Sequence, residues 1–533
     1  MKKKSSLLGS GARLSVLTLA SRALGLVREM TKAAFLGTSP LADAFGIAFM
    51  IPNLFRRLFA ENSISVAFIP AFKGYLEDIE KQPGQEAAQT DAAQFVNSIF
   101  TVVSFFTALV AVCGILAAPL IVPFFYDTAK TGALAETVFL TRLMFPYLFV
   151  ISIAAFFQGI LNGLKIFAPS GFTPVLFNLI VIGATYILSP HTQNPARAMA
   201  FGVLLGGVIQ AAFQLPFVLK NGWKPRPTGL GKAFSHAGVR KVLARIGPTI
   251  IGMAAYQLND VVSTALAGKA GSGIVSSLQY SLRLQELILG VFAVSIGTVI
   301  LPDLSGMVKN KQWEAFNHML ATAIQIIALI TIPVTFFSLV TGENIIILIY
   351  KNRNFTDESV ALTLRVFLYH ISGLFFIAVN RIIAPAFYAQ GDTKSPTLAG
   401  ITGFVFNIIL ACLLVGPMAG SGIALALSIA SAVNTLVLFL FLGKTRTVKV
   451  VSVIKPTLWY VLKITGISLA AGAVLYAAKP YLLAPFSGLS RIVSQGLFLL
   501  LGTMLFAGIG VSLLAVVKDR YILGGIHRVT SGK

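Results

Sequence analysis

Apolar runs of about twenty residues, each long enough to cross the roughly 30 Å hydrocarbon core of a bilayer, recur about fourteen times along this chain. They centre on residues 11–36, 41–71, 93–123, 137–160, 168–189, 197–219, 243–268, 272–302, 315–341, 359–383, 396–415, 420–442, 457–478 and 491–517. The polar segments between them are short, which leaves no extramembrane domain large enough to house a soluble catalytic core. A mean hydropathy of +0.83 with only 11% charged residues is a balance that water-soluble domains do not show. The expected fold is an all-α polytopic membrane protein of about 14 transmembrane helices, and its work is done in the bilayer.

The charge excess follows the same logic. Lys and Arg number 42 against 19 Asp and Glu, but they gather in connecting segments, and no basic soluble domain is present to bind nucleic acid. With the N-terminus in the cytoplasm, alternate loops place roughly two dozen Lys and Arg inside against about seven outside, so both termini are expected to be cytoplasmic. Arg13, Arg22 and Arg28 interrupt any signal-peptide core, and the first apolar run is a retained helix. Cys113 and Cys412 lie in apolar runs as small hydrophobes.

Two pairs of segments share one offset of about 230 residues. GTSP at 37–40 with FIP at 68–70 recurs as GKAG at 268–271 with ILP at 300–302, and LNGLKIFAP at 161–169 recurs as AQGDTKSP at 389–396. Repeats on this scale imply two pseudo-symmetric six-helix lobes around a cavity, which rock between inward-open and outward-open states. The expected division is a first lobe over 1–220, a basic cytoplasmic linker over 221–242 acting as a hinge, a second lobe over 243–443, and two extra helices with a cytoplasmic tail over 444–533.

Charges inside the apolar runs mark the chemistry. A charged side chain at a helix centre costs roughly 2.5 to 3.5 kcal/mol on insertion scales, so it is retained where it faces a protein interior or a water-filled cavity. The stretch SRALGLVREM at 21–30 carries Arg22, Arg28 and Glu29, and DAFGIAFMIPNLFRRLFAEN at 43–62 carries Asp43, Arg56, Arg57 and Glu61. At 100° per residue, Arg22 and Glu29 share a face and Arg28 is offset by about 120°. The set is net positive, and planar guanidinium groups suit the oxygens of a phosphate or diphosphate. Arg57 either joins this wall or snorkels to an interface. Asp43 either caps its helix or orients an arginine. In the second half, Arg283 and Glu286 are spaced to pair on one helical face. Asp260, with Asn407 or Ser428 across the bundle, offers oxygen ligands for a small cation such as sodium. His370, the one mid-helix histidine, reads as hydrogen-bonded structure. No P-loop or nucleophile elbow is found, so transport is expected to run on a gradient or the membrane potential, with no organic cofactor.

These stretches, together with FPY at 145–147, GILNGLKIFAP at 159–169 and APAFYAQGDTKSP at 384–396, closely resemble the MurJ (MviN) family of lipid II flippases, in the multidrug/oligosaccharidyl-lipid/polysaccharide exporter superfamily. The resemblance is collinear over nearly the whole chain. It implies two six-helix lobes plus two helices that form a groove for the lipid tail. It also implies export of an undecaprenyl-pyrophosphate-linked peptidoglycan precursor from the cytoplasmic to the periplasmic leaflet of the bacterial inner membrane. Family arginines needed for function match Arg22, Arg28, Arg56 and Arg283, and acidic positions match Asp43 and Glu286. Glu29 stands where aspartate is common, and Leu282 stands where an acid sometimes precedes the eighth-helix arginine. Some members bind sodium in the second lobe, which fits Asp260 and Asn407. The expected partners are lipid II and membrane lipids, and the chain is expected to act as a monomer alongside cell-wall synthesis enzymes. A flippase for an O-antigen or teichoic-acid precursor is the nearest rival, and a membrane-embedded polyprenyl-phosphate enzyme is the rival of another class.

Overall fold

In hydrocarbon every backbone N–H and C=O must be satisfied within its own segment, and the helix does this residue by residue. The structure, a computed structural model, describes residues 7–61, 64–81, 86–126, 133–445 and 448–521. Every long regular element among them is helical. The Arg13 and Glu61 side chains and the tail beyond 521 lie outside the described residues.

The chain divides into two compact units, Met1–Ser276 and Ser277–Lys533. Unit 1 holds α1 (Leu7–Leu36), α2 (Pro40–Phe55), π-helical turns at Arg56–Glu61 and Ile64–Phe68, α3 (Ile69–Lys81), α4 (Glu86–Ile121), α5 (Leu134–Gly163), α6 (Ala168–Leu188), α7 (Pro195–Lys220), α8 (Leu230–Ser235) and α9 (Ala237–Ala270). Then follow α10 (Ile274–Lys309), α11 (Trp313–Tyr350), α12 (Asp357–Ser372), α13 (Leu374–Ala389), α14 (Lys394–Met418), α15 (Gly420–Lys444), α16 (Val450–Leu483) and α17 (Arg491–Val516).

Nine helices among the described residues are long and apolar enough to span a membrane: α4 to α7, α11, and α14 to α17. The α12–α13 pair adds a tenth span, bent by 41°. The other expected spans correspond to α1, α2 with its π-turns, α9 and α10. These are the helices that carry the charges singled out above, and the count of fourteen rests on including them.

Within unit 1, α5 packs on α2, α4 and α7, while α6 lies against α1 and α7. Gly202 and Gly206, four apart on α7, let α6 approach closely: a Cβ at Gly206 would stand 2.8 Å from the Phe177 ring, and one at Gly202 would stand 2.9 Å from Ala184. Small residues at this spacing are what lets membrane helices pack backbone to backbone. The segment expected as a hinge is stitched down. Asn97 and Thr101 of α4 accept hydrogen bonds from the backbone of Arg226 (2.8 Å) and Thr228 (2.9 Å), and Trp223 packs edge-on to Phe72 at 4.8 Å.

Within unit 2, α15 packs on α12, α13 and α14. The last two helices, which the repeat leaves over, dock on α11. Tyr460 and Ile464 of α16 and Leu514 of α17 cluster with Ala328 and Ile332 of α11. The two recurring segments end their helices in the same kind of turn. After α5, Ile166 N–H reaches Leu161 C=O (2.8 Å) and Lys165 N–H reaches Asn162 C=O (3.1 Å); after α13, Asp392 N–H reaches Phe387 C=O and Gly391 N–H reaches Tyr388 C=O, both at 3.0 Å. Both are Schellman turns, placed where LNGLKIFAP and AQGDTKSP recur.

Candidate functional site

Chain geometry sets the first half of the site at the α2 junction. Ser39 caps α2, its hydroxyl accepting from Ala42 N–H (3.3 Å), and Pro40 follows at a position where a missing N–H costs nothing. Twelve residues on, Pro52 has no N–H to offer the preceding turn, and four residues later the helix widens into the π-turn that carries Arg56 and Arg57. Short π-helical segments inside α-helices recur at functional sites. Arg56 Nε donates to Asn53 Oδ1 at 2.8 Å. Arg57 reaches α9, with Nη1 at 3.3 Å from Gln257 Oε1 and 3.4 Å from Asp260 Oδ2.

On α1, Arg28 and Glu29 pair with each other at 2.9 Å, and the Arg28 guanidinium lies 5.7 Å from the Phe177 ring centroid. Gly206 and the guanidinium therefore share one ring, which ties helix packing to the charge. Arg22 lies two turns earlier and is half-buried. Asp43 departs from both of its readings. Its carboxylate accepts Gly273 N–H at 2.6 Å and Ser276 N–H at 2.7 Å, and thus caps the start of α10. Its own helix is capped by Ser39, and an arginine is not what it orients.

Sequence reasoning missed Lys32, which is only 3% exposed and has Nζ 6.0 Å from the Phe45 ring centroid. The signal was present: a fourth charge within the same apolar stretch, one turn beyond Arg28. Gln257, on the partner face for Arg57, was also missed, because an amide in an apolar run carries no insertion cost comparable to a charge.

On α10, Ser281 and Gln285 lie one turn apart and face α12. The Ser281 hydroxyl meets His370 Nδ1 at 2.6 Å, and Gln285 donates to the His370 carbonyl. His370 is the hydrogen-bonded structural residue expected. Arg283 and Glu286 fall on the opposite face of α10 at 100° per residue and pair at 3.2 Å, as their spacing predicted.

Two of the residues suggested for a small cation have protein partners. Asp260 lies 3.4 Å from Arg57, and the Ser428 hydroxyl donates to the Tyr369 carbonyl at 2.6 Å. Among the described residues no cluster of three or more His, Cys, Asp or Glu is placed to hold a metal ion.

The sequence and fold have known counterparts. A family profile described as "Lipid II flippase MurJ" matches residues 32–494. A curated relative in Treponema pallidum (strain Nichols), "Probable lipid II flippase MurJ", is 47% identical over 529 residues, covering 99% of each chain. A solved structure titled "Lipid II flippase MurJ, inward closed conformation" superposes with a TM-score of 0.72 at 26% identity, covering 92% of this chain and 98% of that one. An inward-facing multidrug resistance MATE transporter of the MOP superfamily shares the fold, with a TM-score of 0.65 at 16% identity over 83% of this chain and 98% of its own. The profile match runs from the end of α1 through α2 and the arginine-bearing turn after it to the start of α17, and the chain belongs to the MurJ family.

Proposed function

We propose that this chain is a lipid II flippase, a transporter that moves the undecaprenyl-diphosphate-linked peptidoglycan precursor from the cytoplasmic to the periplasmic leaflet. The observation that carries the reading is 47% identity held over 99% of both chains with a probable lipid II flippase. The protein is accordingly a multi-pass protein of the bacterial inner membrane. The charge pattern of its loops favours both termini on the cytoplasmic side.

The physics of the cargo asks for the residues found. A polyprenyl tail can stay in lipid, where each buried CH₂ is worth about 0.8 kcal/mol, while the sugar-diphosphate head must be shielded during crossing. In this reading Arg22, Arg28 and Arg56 in unit 1 and Arg283 in unit 2 engage the diphosphate. Glu29 and Glu286 orient the guanidinium groups they pair with, at 2.9 and 3.2 Å. Asp43 acts indirectly, through the turn it caps. Moving the anionic head outward across an inside-negative potential gains roughly 2.3 kcal/mol per charge per 100 mV, which biases the movement towards export.

The test is rescue of a bacterium depleted of its own lipid II flippase, combined with an assay for newly made lipid II accessible at the outer surface. Wild type is expected to restore both; Arg28→Ala and Arg283→Ala, at equal expression, are expected to restore neither. Rescue by both alanine variants at the parent level overturns the site assignment. A well-expressed wild type that exports another polyprenyl-linked glycan overturns the substrate.

A further inference from the structure

We infer that the segment between α7 and α9 is a docking platform for anionic phospholipid headgroups of the cytoplasmic leaflet, with Lys224, Arg226 and Lys232 as its cations and α8 lying at the edge of the bilayer. The inference goes beyond the flippase reading and does not depend on it.

The level of α8 is set by α4. Phe105, Leu109, Val112, Leu116 and Leu120 are 40% to 73% exposed and recur every three or four residues, so they form one apolar stripe along α4. On a spanning helix such a stripe faces lipid. Phe106 stands beside the cytoplasmic end of the stripe, itself 44% exposed, and the Phe234 ring of α8 packs edge-on to it at 6.1 Å. α8 therefore rests where the lipid-facing surface of α4 begins, and it carries Leu230, 40% exposed. The backbone is held at that level. Asn97 and Thr101 of α4 accept the Arg226 and Thr228 N–H groups, and beyond α8 the Arg240 Nε donates to the Phe234 carbonyl at 3.2 Å.

The charge on this platform has no protein counterpart. Lys224, Arg226 and Lys232 are exposed, and the ion pairs among the described residues involve none of the three. Asp91 of α4 lies instead against His236, at 3.5 Å. Pro225 and Pro227 follow Lys224 and Arg226; a residue before proline favours extended backbone, in which residues two apart project to one side. Lys and Arg stems lie along apolar surface while their charged heads stay in the polar layer. A basic segment beside exposed aromatic and aliphatic side chains is the composition that binds an anionic lipid surface. A soluble anion would use the cations but not the apolar rim, and it is the continuity with the lipid-facing stripe of α4 that points to a lipid.

The chain has 3 tryptophans, so Trp313→Phe/Trp459→Phe leaves Trp223, half-buried on the Phe72 ring at 4.8 Å, as a reporter next to Lys224. The full chain is reconstituted in phosphatidylcholine vesicles that carry either brominated phosphatidylglycerol or brominated phosphatidylcholine at the same mole fraction, and quenching of Trp223 is read. Brominated phosphatidylglycerol is expected to quench at least twice as strongly, and Lys224→Gln/Arg226→Gln/Lys232→Gln to bring the two lipids level. The charge-matched control Lys309→Gln/Lys311→Gln/Lys394→Gln is expected to keep the difference. Equal quenching by the two lipids in the parent overturns the inference. An equal loss of the difference in the control also overturns it, since bulk charge would then suffice. Loss of the difference on adding soluble glycerol phosphate would mean a free-phosphate site and overturns it too. If the tryptophan-replaced chain does not reconstitute, thermal unfolding of the unaltered chain in detergent decides. Added phosphatidylglycerol is expected to raise the midpoint above that with phosphatidylcholine, and to do so less in the Lys224/Arg226/Lys232 variant; a rise of the same size in both proteins, or none in the parent, overturns the inference.

Discussion

Arg57 and Asp260 sit 3.4 Å apart with side chains 39% and 52% exposed. Ion pairs this open to solvent contribute about 0 to 1 kcal/mol. Asp260→Asn should therefore change the unfolding free energy by less than about 1 kcal/mol, measured by denaturant titration in detergent. A much larger loss would show that Asp260 holds more than Arg57. At this scale the sequence was readable where a charge interrupts an apolar run, because insertion cost makes such a residue conspicuous: Arg28, Arg56 and Arg283 were found that way. Partners were harder to read. Asp43 and Gly273 are 230 residues apart in the chain, and nothing local says that the carboxylate caps a helix other than its own. Lys32 was overshadowed by the arginines beside it, although its burial exceeds theirs.

Among the elements, helix ends carry information that run length does not. Five helices, α5, α7, α10, α13 and α17, end in the same paired turn, with Lys165, Gly222, Lys311, Gly391 and Lys518 in the left-handed position, at φ 62°, 86°, 56°, 76° and 50°. All five ends fall on the cytoplasmic side in the topology that the loop charges favour. A left-handed lysine costs roughly 1 kcal/mol, while a cation near a helix C-terminus gains about 0.3 to 1 kcal/mol from the macrodipole. Lys165→Gly should consequently be close to neutral, whereas Gly391→Ala should cost about 1 kcal/mol, with no dipole gain to offset it. Comparing the thermal midpoints of the two variants checks this; equal losses would remove the dipole from the explanation. The spans themselves were legible because bilayer thickness dictates their length. The widening after Pro52 and the 41° bend between α12 and α13 were not, since proline and glycine permit a break without specifying its geometry.

For the molecule as a whole, the helix pair left over by the repeat is fastened at its far end. Beyond α17 the chain turns at Lys518 and buries Asp519 against Lys463 of α16, while Arg520 and Tyr521 reach Gln325 of α11. Asp519 also accepts the Tyr521 N–H at 3.0 Å, so one carboxylate closes the turn and ties it to α16. The Tyr521 ring packs edge-on to Tyr460 at 5.4 Å. Apolar packing on α11 was implied by two long hydrophobic runs, but this polar clasp lies in a short, highly charged segment that reads from sequence as a solvated tail. The Asp519 side chain is fully buried and that of Lys463 is 33% exposed. Hydrogen bonds to charged groups contribute about 1.5 to 3 kcal/mol, and solvent screening at the lysine argues for the lower part of that range. Asp519→Ala should thus cost about 2 kcal/mol, and Lys463→Met at least as much, because it leaves a fully buried carboxylate without its counter-charge. The check is thermal unfolding of both variants together with cysteine cross-linking between α11 and α17: loosened cross-linking in both variants is the expected pattern. Unchanged stability and cross-linking would mean that apolar packing against α11 suffices to hold the pair in place.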